Sequence, residues 1–322
     1  FNEPPPSHKQ TSQDVDSDDP ADNGEIAVQE AVGERAQALM NSVVIKDEIL
    51  TGAINFIERQ PLMVLATENA NGQIWASMLF GKPGFIRALS TKELLVDLLQ
   101  AKEIDGDPFL ENLASNPRIG ALLIELDTRR RLKINGRVSR QNEQEILIAV
   151  EESFPLCPKY IQRRKVRLPE DGLPHKQTPE LATGTSLGAE ELELIANCDT
   201  MFSATSNPQG NLDISHRGGK PGFVRAIHAT RLRVPDFAGN SMFNSFGNLQ
   251  LNDRAGVILL DFAGRQCLQI CGRATVLLAQ SDPQNKTGGT NRFWELEVEN
   301  WQRTTIPAIE LEFLDASPHN PK

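Results

Sequence analysis

Four cysteines stand in 322 residues, none in a CxxC pair, and none of the five histidines lies at zinc-ligand spacing. A disulfide scaffold is excluded on that count, and no zinc motif is present. No apolar stretch approaches the ~18 residues that a membrane span needs. Basic residues are outnumbered, 33 Lys and Arg against 43 Asp and Glu, giving a net charge of −10. That balance argues against a general nucleic-acid partner but leaves room for a local basic patch on a phosphate. Aromatics are scarce at 6%, with a single tyrosine, Tyr160. Cys267 and Cys271 fall on one face of a strand-like segment and read as small buried apolar residues. A reducing, cytoplasmic compartment is the expectation. Phe1 opens the sequence in place of Met, as expected of a trimmed or partial chain, and leaves a removed targeting peptide open.

What is present is enough for two domains, with 39% hydrophobic residues over this length. Residues 1–23 are rich in Pro, Ser and Asp and read as a disordered acidic tail. Residues 24–60 have helical periodicity and lead into a first domain spanning 24–168. "PEDGLPHKQTPELATGTSLG", 169–188, reads as a linker. A second domain, 189–322, opens on a helix in "AEELELIANC". The triplet "NKT" at 285–287 fits an N-glycosylation sequon, a pattern common by chance.

The two domains are copies. Residues 61–88 align with 199–226 without a gap at 13 of 28 identical positions, and 112–138 with 248–274 at 11 of 27. Each copy reads as β. "LMVLAT" and "TMFSAT" start strands, and "ENANGQ" and "SNPQGN" turn them, with Gly72 and Gly210 at the permissive position. "GKPGF" follows in both copies as a turn device. "IGALLIEL" and "AGVILLDF" are apolar enough for central strands, each preceded by a short helix. The fold class is mainly β with a few helices, and such sheets close toward barrels.

The stretches "DISHRGGKPGF", "PDFAGNSMFNSFGNL", "AGVILLDF" and "LQICGRA" carry a family pattern. So do "WASMLFGKPGF", "TRRRLKINGR" and "CPKYIQRR" in the first copy. Over roughly 24–280 the chain resembles the pyridoxamine 5′-phosphate oxidase-like flavin-binding split-barrel superfamily, and within it the two-barrel branch of flavin-nucleotide-binding proteins. The resemblance implies two tandem split β-barrels of about six strands each, paired as an internal pseudo-dimer. It implies FMN between the barrels and an oxidoreductase-like activity on an unknown small-molecule substrate, with NADH or NADPH a possible electron donor. No membrane or nucleic-acid partner and no metal are expected.

Carried onto this sequence, the resemblance marks Ser215, His216, Arg217 and Lys220 on one strand and turn. It marks Pro235, Asp236, Asn244, Ser245 and Asn248 around the next helix start, with Gln269 on a facing strand. The chemistry suits a phosphate, which takes an arginine fork, hydroxyls and helix N-terminal amides. Ser215 stands where the family has an arginine, with Arg217 two residues on. No catalytic residue is marked. Each position also has a plainer meaning: His216 as a structural hydrogen-bonder, Arg217 as half of an ion pair, Arg129–Arg131 as a solvated turn. Tyr160, beside Lys159 and Arg163, is placed to stack on or cap a ligand from the first copy.

In the first copy Met78, Leu79 and Phe80 replace His216, Arg217 and Gly218, which marks one functional and one degenerate half. Two alternatives remain at this level. One is a non-catalytic flavin-binding or electron-transfer module. The other is a haem-binding barrel, whose axial ligand must come from His8, His175, His216, His228 or His319.

Overall fold

The computed structural model describes residues 22–169, 181–307 and 309–321. The expected acidic tail lies outside the described residues save its last two positions, as does most of the expected linker. Two helices lead, α1 (Asp22–Ala31) and α2 (Arg35–Ser42), then a 3-10 turn and α3 (Ile54–Glu58). The first copy continues with β1 (Leu62–Glu68), β2 (Ile74–Gly81), β3 (Ile86–Ala88), β4 (Glu93–Asp97) and β5 (Ala101–Glu103). After α4 (Phe109–Ser115) come β6 (Arg118–Glu125), β7 (Arg130–Gln141), β8 (Glu145–Pro155) and β9 (Arg163–Arg167). The second copy runs β10 (Ala182–Gly184), α5 (Ala189–Asn197), β11 (Thr200–Ser206), β12 (Leu212–Gly218), β13 (Arg225–His228) and β14 (Arg231–Asp236). It ends with α6 (Asn244–Leu251), β15 (Arg254–Asp261), β16 (Gln266–Leu277), β17 (Arg292–Thr305) and β18 (Glu310–Asp315). Among the described residues no helix is long and apolar enough to cross a membrane.

The strands form two curled sheets, ordered β3-β4-β8-β7-β6-β1-β2-β5 and β12-β11-β15-β16-β17-β14-β13, with β10 added on β17. Without β5 and β10 the two orders coincide strand for strand, so the repeat in sequence is a repeat in topology: two split barrels. Each sheet has eight strands where about six were expected, because short β5 and β10 join the edges and flanks. The hairpin glycines behave as their positions predict, Gly72 at φ 74° and Gly210 at φ 80°. Asn69 and Asn207 fix the same turns by accepting backbone N–H bonds two to four residues on.

Each barrel has its own apolar core, and a third core lies between them. That shared core joins Val64, Ala76 and Met78 of the first copy to Phe202, Ile214 and Ile258 of the second. Two corresponding glycines set its depth. A Cβ on Gly120 would stand 2.9 Å from the Leu212 carbonyl, and one on Gly256 would overlap the Ile74 carbonyl. Two ion pairs cross between the copies. Lys133 binds Asp213, and Arg164 donates to Asp199 at 2.6 Å while stacking on Phe262.

Three features cross the expected domain bounds. α1, expected with the first barrel, packs on the second against α6, where Gly24 and Gly247 let the backbones meet, whereas α3 packs on β3 of the first barrel as expected. At the other end, β18 of the second domain pairs with β9 of the first. Within the expected linker, Ala182–Gly184 forms β10.

Asp107 sits at the barrel–barrel junction and accepts from Ser77 (2.6 Å), Gln269 (2.8 Å) and the Phe109 N–H (3.0 Å). Burial outweighs these donors and raises its carboxyl from 3.8 to about 7. Folding therefore favours the neutral acid. Its stabilising contribution is complete below about pH 3.8 and is lost as pH rises through about 7. Asp107→Asn is expected to flatten that loss. Urea unfolding midpoints compared at about pH 5 and about pH 8 should differ less in the variant than in the parent protein.

Candidate functional site

A cavity of about 130 Å³ opens between the barrels at the end of β12. The edge matters. In the first copy β5 pairs along Leu79–Gly81 of β2, and Met78, Leu79 and Phe80 are all buried. In the second copy β12 is the sheet edge, and Ser215, His216, Arg217 and Gly218 line the cavity. The copies expected to be functional and degenerate thus differ at the strand edge: β5 covers it in the first, and β12 is the edge in the second.

The wall opposite β12 is the segment from Pro235 to the start of α6. Ser241 and Phe243 hold φ of 62° and 61° there, a left-handed backbone that side chains rarely adopt. Pro235, Asp236, Asn244 and Ser245 all line the cavity as expected. The third wall comes from the first copy. It comprises Arg131 and Lys133 of β7 and the turn Cys157–Tyr160 after β8.

Four cations and one carboxylate line the cavity: Arg131, Lys133, Lys159, Arg217 and Asp236. Arg217 donates to Asp236 at 2.8 Å, and Arg292 donates to the second oxygen of the same carboxylate at 2.9 Å. The ion-pair reading of Arg217 is therefore realised, yet its Nε remains buried without a partner. Arg131 donates to the Cys157 carbonyl, and its Nε is likewise unpartnered. Burial lowers Arg131 to about 10, with Arg217 adding to the shift, so it stays a cation at neutral pH. The solvated-turn reading is corrected for this residue. Arg130 keeps it, bonding Glu125 at the surface, whereas Arg129 is largely covered and donates to the Ile161 carbonyl and Asp315.

His216 is 7% exposed, and among the described residues neither ring nitrogen has a hydrogen-bond partner. Its ring stands edge-on to Phe202 at 5.4 Å. Burial first, then the Arg131, Arg217 and Arg164 cations, push its pKa well below the usual imidazole range. It offers a ligand one donor and one acceptor, but no charge. Two buried nitrogens left open beside two unpartnered guanidinium nitrogens define a cavity built for a polar, anionic group.

Tyr160 closes the mouth. Its ring lies 4.9 Å from Phe237, and its hydroxyl donates to the Ala238 carbonyl at 2.9 Å. Its backbone sits at φ 67°, fixed by donation to Ser317 Oγ at 3.1 Å. Gly218 is required beneath it, because a Cβ there would overlap the Tyr160 carbonyl and stand 2.8 Å from His216 Cε1. Phe80 occupies the corresponding place in the first copy.

Three expected residues lie elsewhere. Lys220 is exposed in the turn beyond β12 and does not line the cavity. Asn248 donates to Thr205 at 3.0 Å, as Asn112 does to Thr67 in the first copy, so it is a fold device. Gln269 is buried between the barrels, donating to the Ala76 carbonyl and to Asp107. Ser215 lines the cavity but its hydroxyl already donates to Asp213 at 3.0 Å and accepts from Lys133 at 3.3 Å. Lys133 was missed. The repeat pairs it with Gln269, and both reach across to the other barrel, which is the signal that identifies it.

Residues 53–167 match the family model described as pyridoxamine 5′-phosphate oxidase. The second copy lies outside that match but repeats the strand order of the first. Solved structures similar to parts of it include a putative pyridoxamine 5′-phosphate oxidase from Lactobacillus delbrueckii, 14% identical. That match covers 37% of this chain and 94% of the other, with a TM-score of 0.29. A FAD-binding protein from Mesorhizobium loti is 13% identical over 39% of this chain and 99% of its own, TM-score 0.27. HutZ, the haem storage protein from Vibrio cholerae, is 13% identical over 39% and 95%, TM-score 0.27. No curated protein matches the chain in sequence.

Gly218→Ala is expected to push the Tyr160 turn off β12. Cys157 lies on that turn and is half-buried, while the other three cysteines are buried. Iodoacetamide should then label Cys157 severalfold faster than in the parent protein, read by peptide mass spectrometry. An unchanged rate would mean that the turn does not depend on Gly218.

Proposed function

We propose that the cavity binds a flavin nucleotide, FMN, and that the protein is an oxidoreductase-like flavoprotein of unknown substrate. The observation that supports this most directly is the set of buried, unpartnered donors around His216, Arg131 and Arg217. A dianionic phosphate would satisfy the two arginines, with Lys159 adding positive charge at the mouth. Asn244 and Ser245 begin α6, whose N-terminal end favours negative charge. At about 130 Å³ the cavity takes a phosphate-sized group. A whole drug-sized ligand fills roughly 300–1,000 Å³. The isoalloxazine ring therefore needs the Tyr160–Phe237 pair to swing aside, and that pair offers it an aromatic face.

When bound, the flavin would supply the redox chemistry. The protein's residues bind its phosphate, shield it from water and present neutral His216 as a hydrogen-bond donor or acceptor. A non-catalytic flavin carrier would use the same contacts. A haem reading has one favourable observation: His216 is buried and neutral, with a ring nitrogen free to bind iron.

The visible spectrum of the purified protein, with and without added FMN, tests these readings. Flavin bands are expected, and Arg217→Ala should weaken FMN by at least about tenfold, the loss of one charge-assisted hydrogen bond of ~1.5–3 kcal/mol. A Soret band that disappears in His216→Ala would replace the flavin reading with haem. A protein that stays colourless with either cofactor would end both.

A further inference from the structure

The N-terminal helix pair lies beside the cavity without entering it. From the α1–α6 crossing, three hydrogen bonds reach the cavity wall. Gln29 Nε2 donates to the Met242 carbonyl at 2.9 Å, and Asn41 Nδ2 donates to the Asn240 carbonyl at 2.6 Å. Asn244 Nδ2 donates to Glu25 Oε1 at 2.8 Å. These bonds flank Ser241 and Phe243, the two wall residues in left-handed backbone. Such a conformation persists only where its surroundings hold it.

A line of charges runs the same way. Glu34, at the N-cap of α2, accepts from Arg292 at 2.9 Å. Arg292 donates to Asp236, which accepts from Arg217 in the cavity. Arg292 and Asp236 expose only 5% and 6% of their side chains, so the line is weakly screened by water. An anion arriving at Arg217 competes with Asp236. Glu34 draws part of Arg292's charge away from Asp236 and leaves Asp236 freer to hold Arg217.

We propose that α1 and α2 are positioning elements of the cavity, and that Glu34 sets how strongly Asp236 competes with an anionic ligand for Arg217. The inference rests on the flavin-nucleotide reading of the site. It makes two opposite demands. Loosening the brace relaxes the wall and weakens binding. Removing the Glu34 charge commits Arg292 to Asp236, makes the cavity more positive and strengthens binding.

The test uses the full chain and FMN as probe. Affinity is read by quenching of flavin fluorescence, and wall order by hydrogen–deuterium exchange. Gln29→Ala with Asn41→Ala should weaken FMN by about tenfold, and Glu34→Gln should tighten it by about threefold, within the usual range of site coupling. Should the paired variant fail to fold, Asn41→Ala alone, at a part-exposed bond, takes its place. FMN should also slow exchange across α1 and α2. A merely structural role lowers affinity in every variant, so unchanged or weaker binding in Glu34→Gln overturns the proposal. Protection confined to β12 and the 235–246 wall also overturns it while leaving the flavin reading intact. A parent protein that takes up no FMN ends both.

Discussion

The close approach of backbone to backbone at Gly120 and Gly256 is the constraint on which the rest depends. Each glycine sits on a central strand of one barrel, and the strand it receives is β12 or β2 of the other. With no side chain between them, the strands come near enough to bury a shared apolar core. The same nearness forces polar groups out of water. Lys133 and Gln269, at matching positions of the two copies, then both find partners across the junction. The cavity forms where this contact ends, so the depth of the junction also fixes which first-barrel residues can reach the second barrel's edge.

One interface built from a repeat offers two comparable places for a ligand, and the two have parted. At the first, β5 seals the edge and Phe80 fills the space. At the second, Gly218 leaves that space to a turn from the other barrel, and the turn brings Tyr160 and Cys157. A burial pattern that would be costly in a core is kept there: a neutral histidine with no partner among two arginines. Unpaired buried donors are expensive, and proteins retain them chiefly where something else completes the pairing.

The repeat made the fold legible, because strand starts, glycine turns and short helices recur at fixed offsets. Seven of the ten marked residues line the cavity: Ser215, His216, Arg217, Pro235, Asp236, Asn244 and Ser245. Asn248 and Gln269 were marked by the family resemblance alone. The first copy held the correction, since Asn112 persists there without a site, and Lys133 shows which way position 269 faces. Lys220 belongs to a turn shared by both copies, so its charge carried no site information. The exchange of chain ends was not legible. It depends on which edges the folded copies leave open, and no local pattern encodes that.

That exchange has a consequence for the order in which the molecule can be made. Synthesis runs from the N-terminus, and α1 leaves the ribosome more than two hundred residues before α6, its packing partner. During that interval it has no surface to cover. β9 waits in the same way for β18, and the Tyr160 backbone waits for the Ser317 hydroxyl. The first barrel can gather its own core as it emerges, but the cavity between the barrels is among the last features to close. The ends of the chain act as a clasp fastened after everything between them is in place.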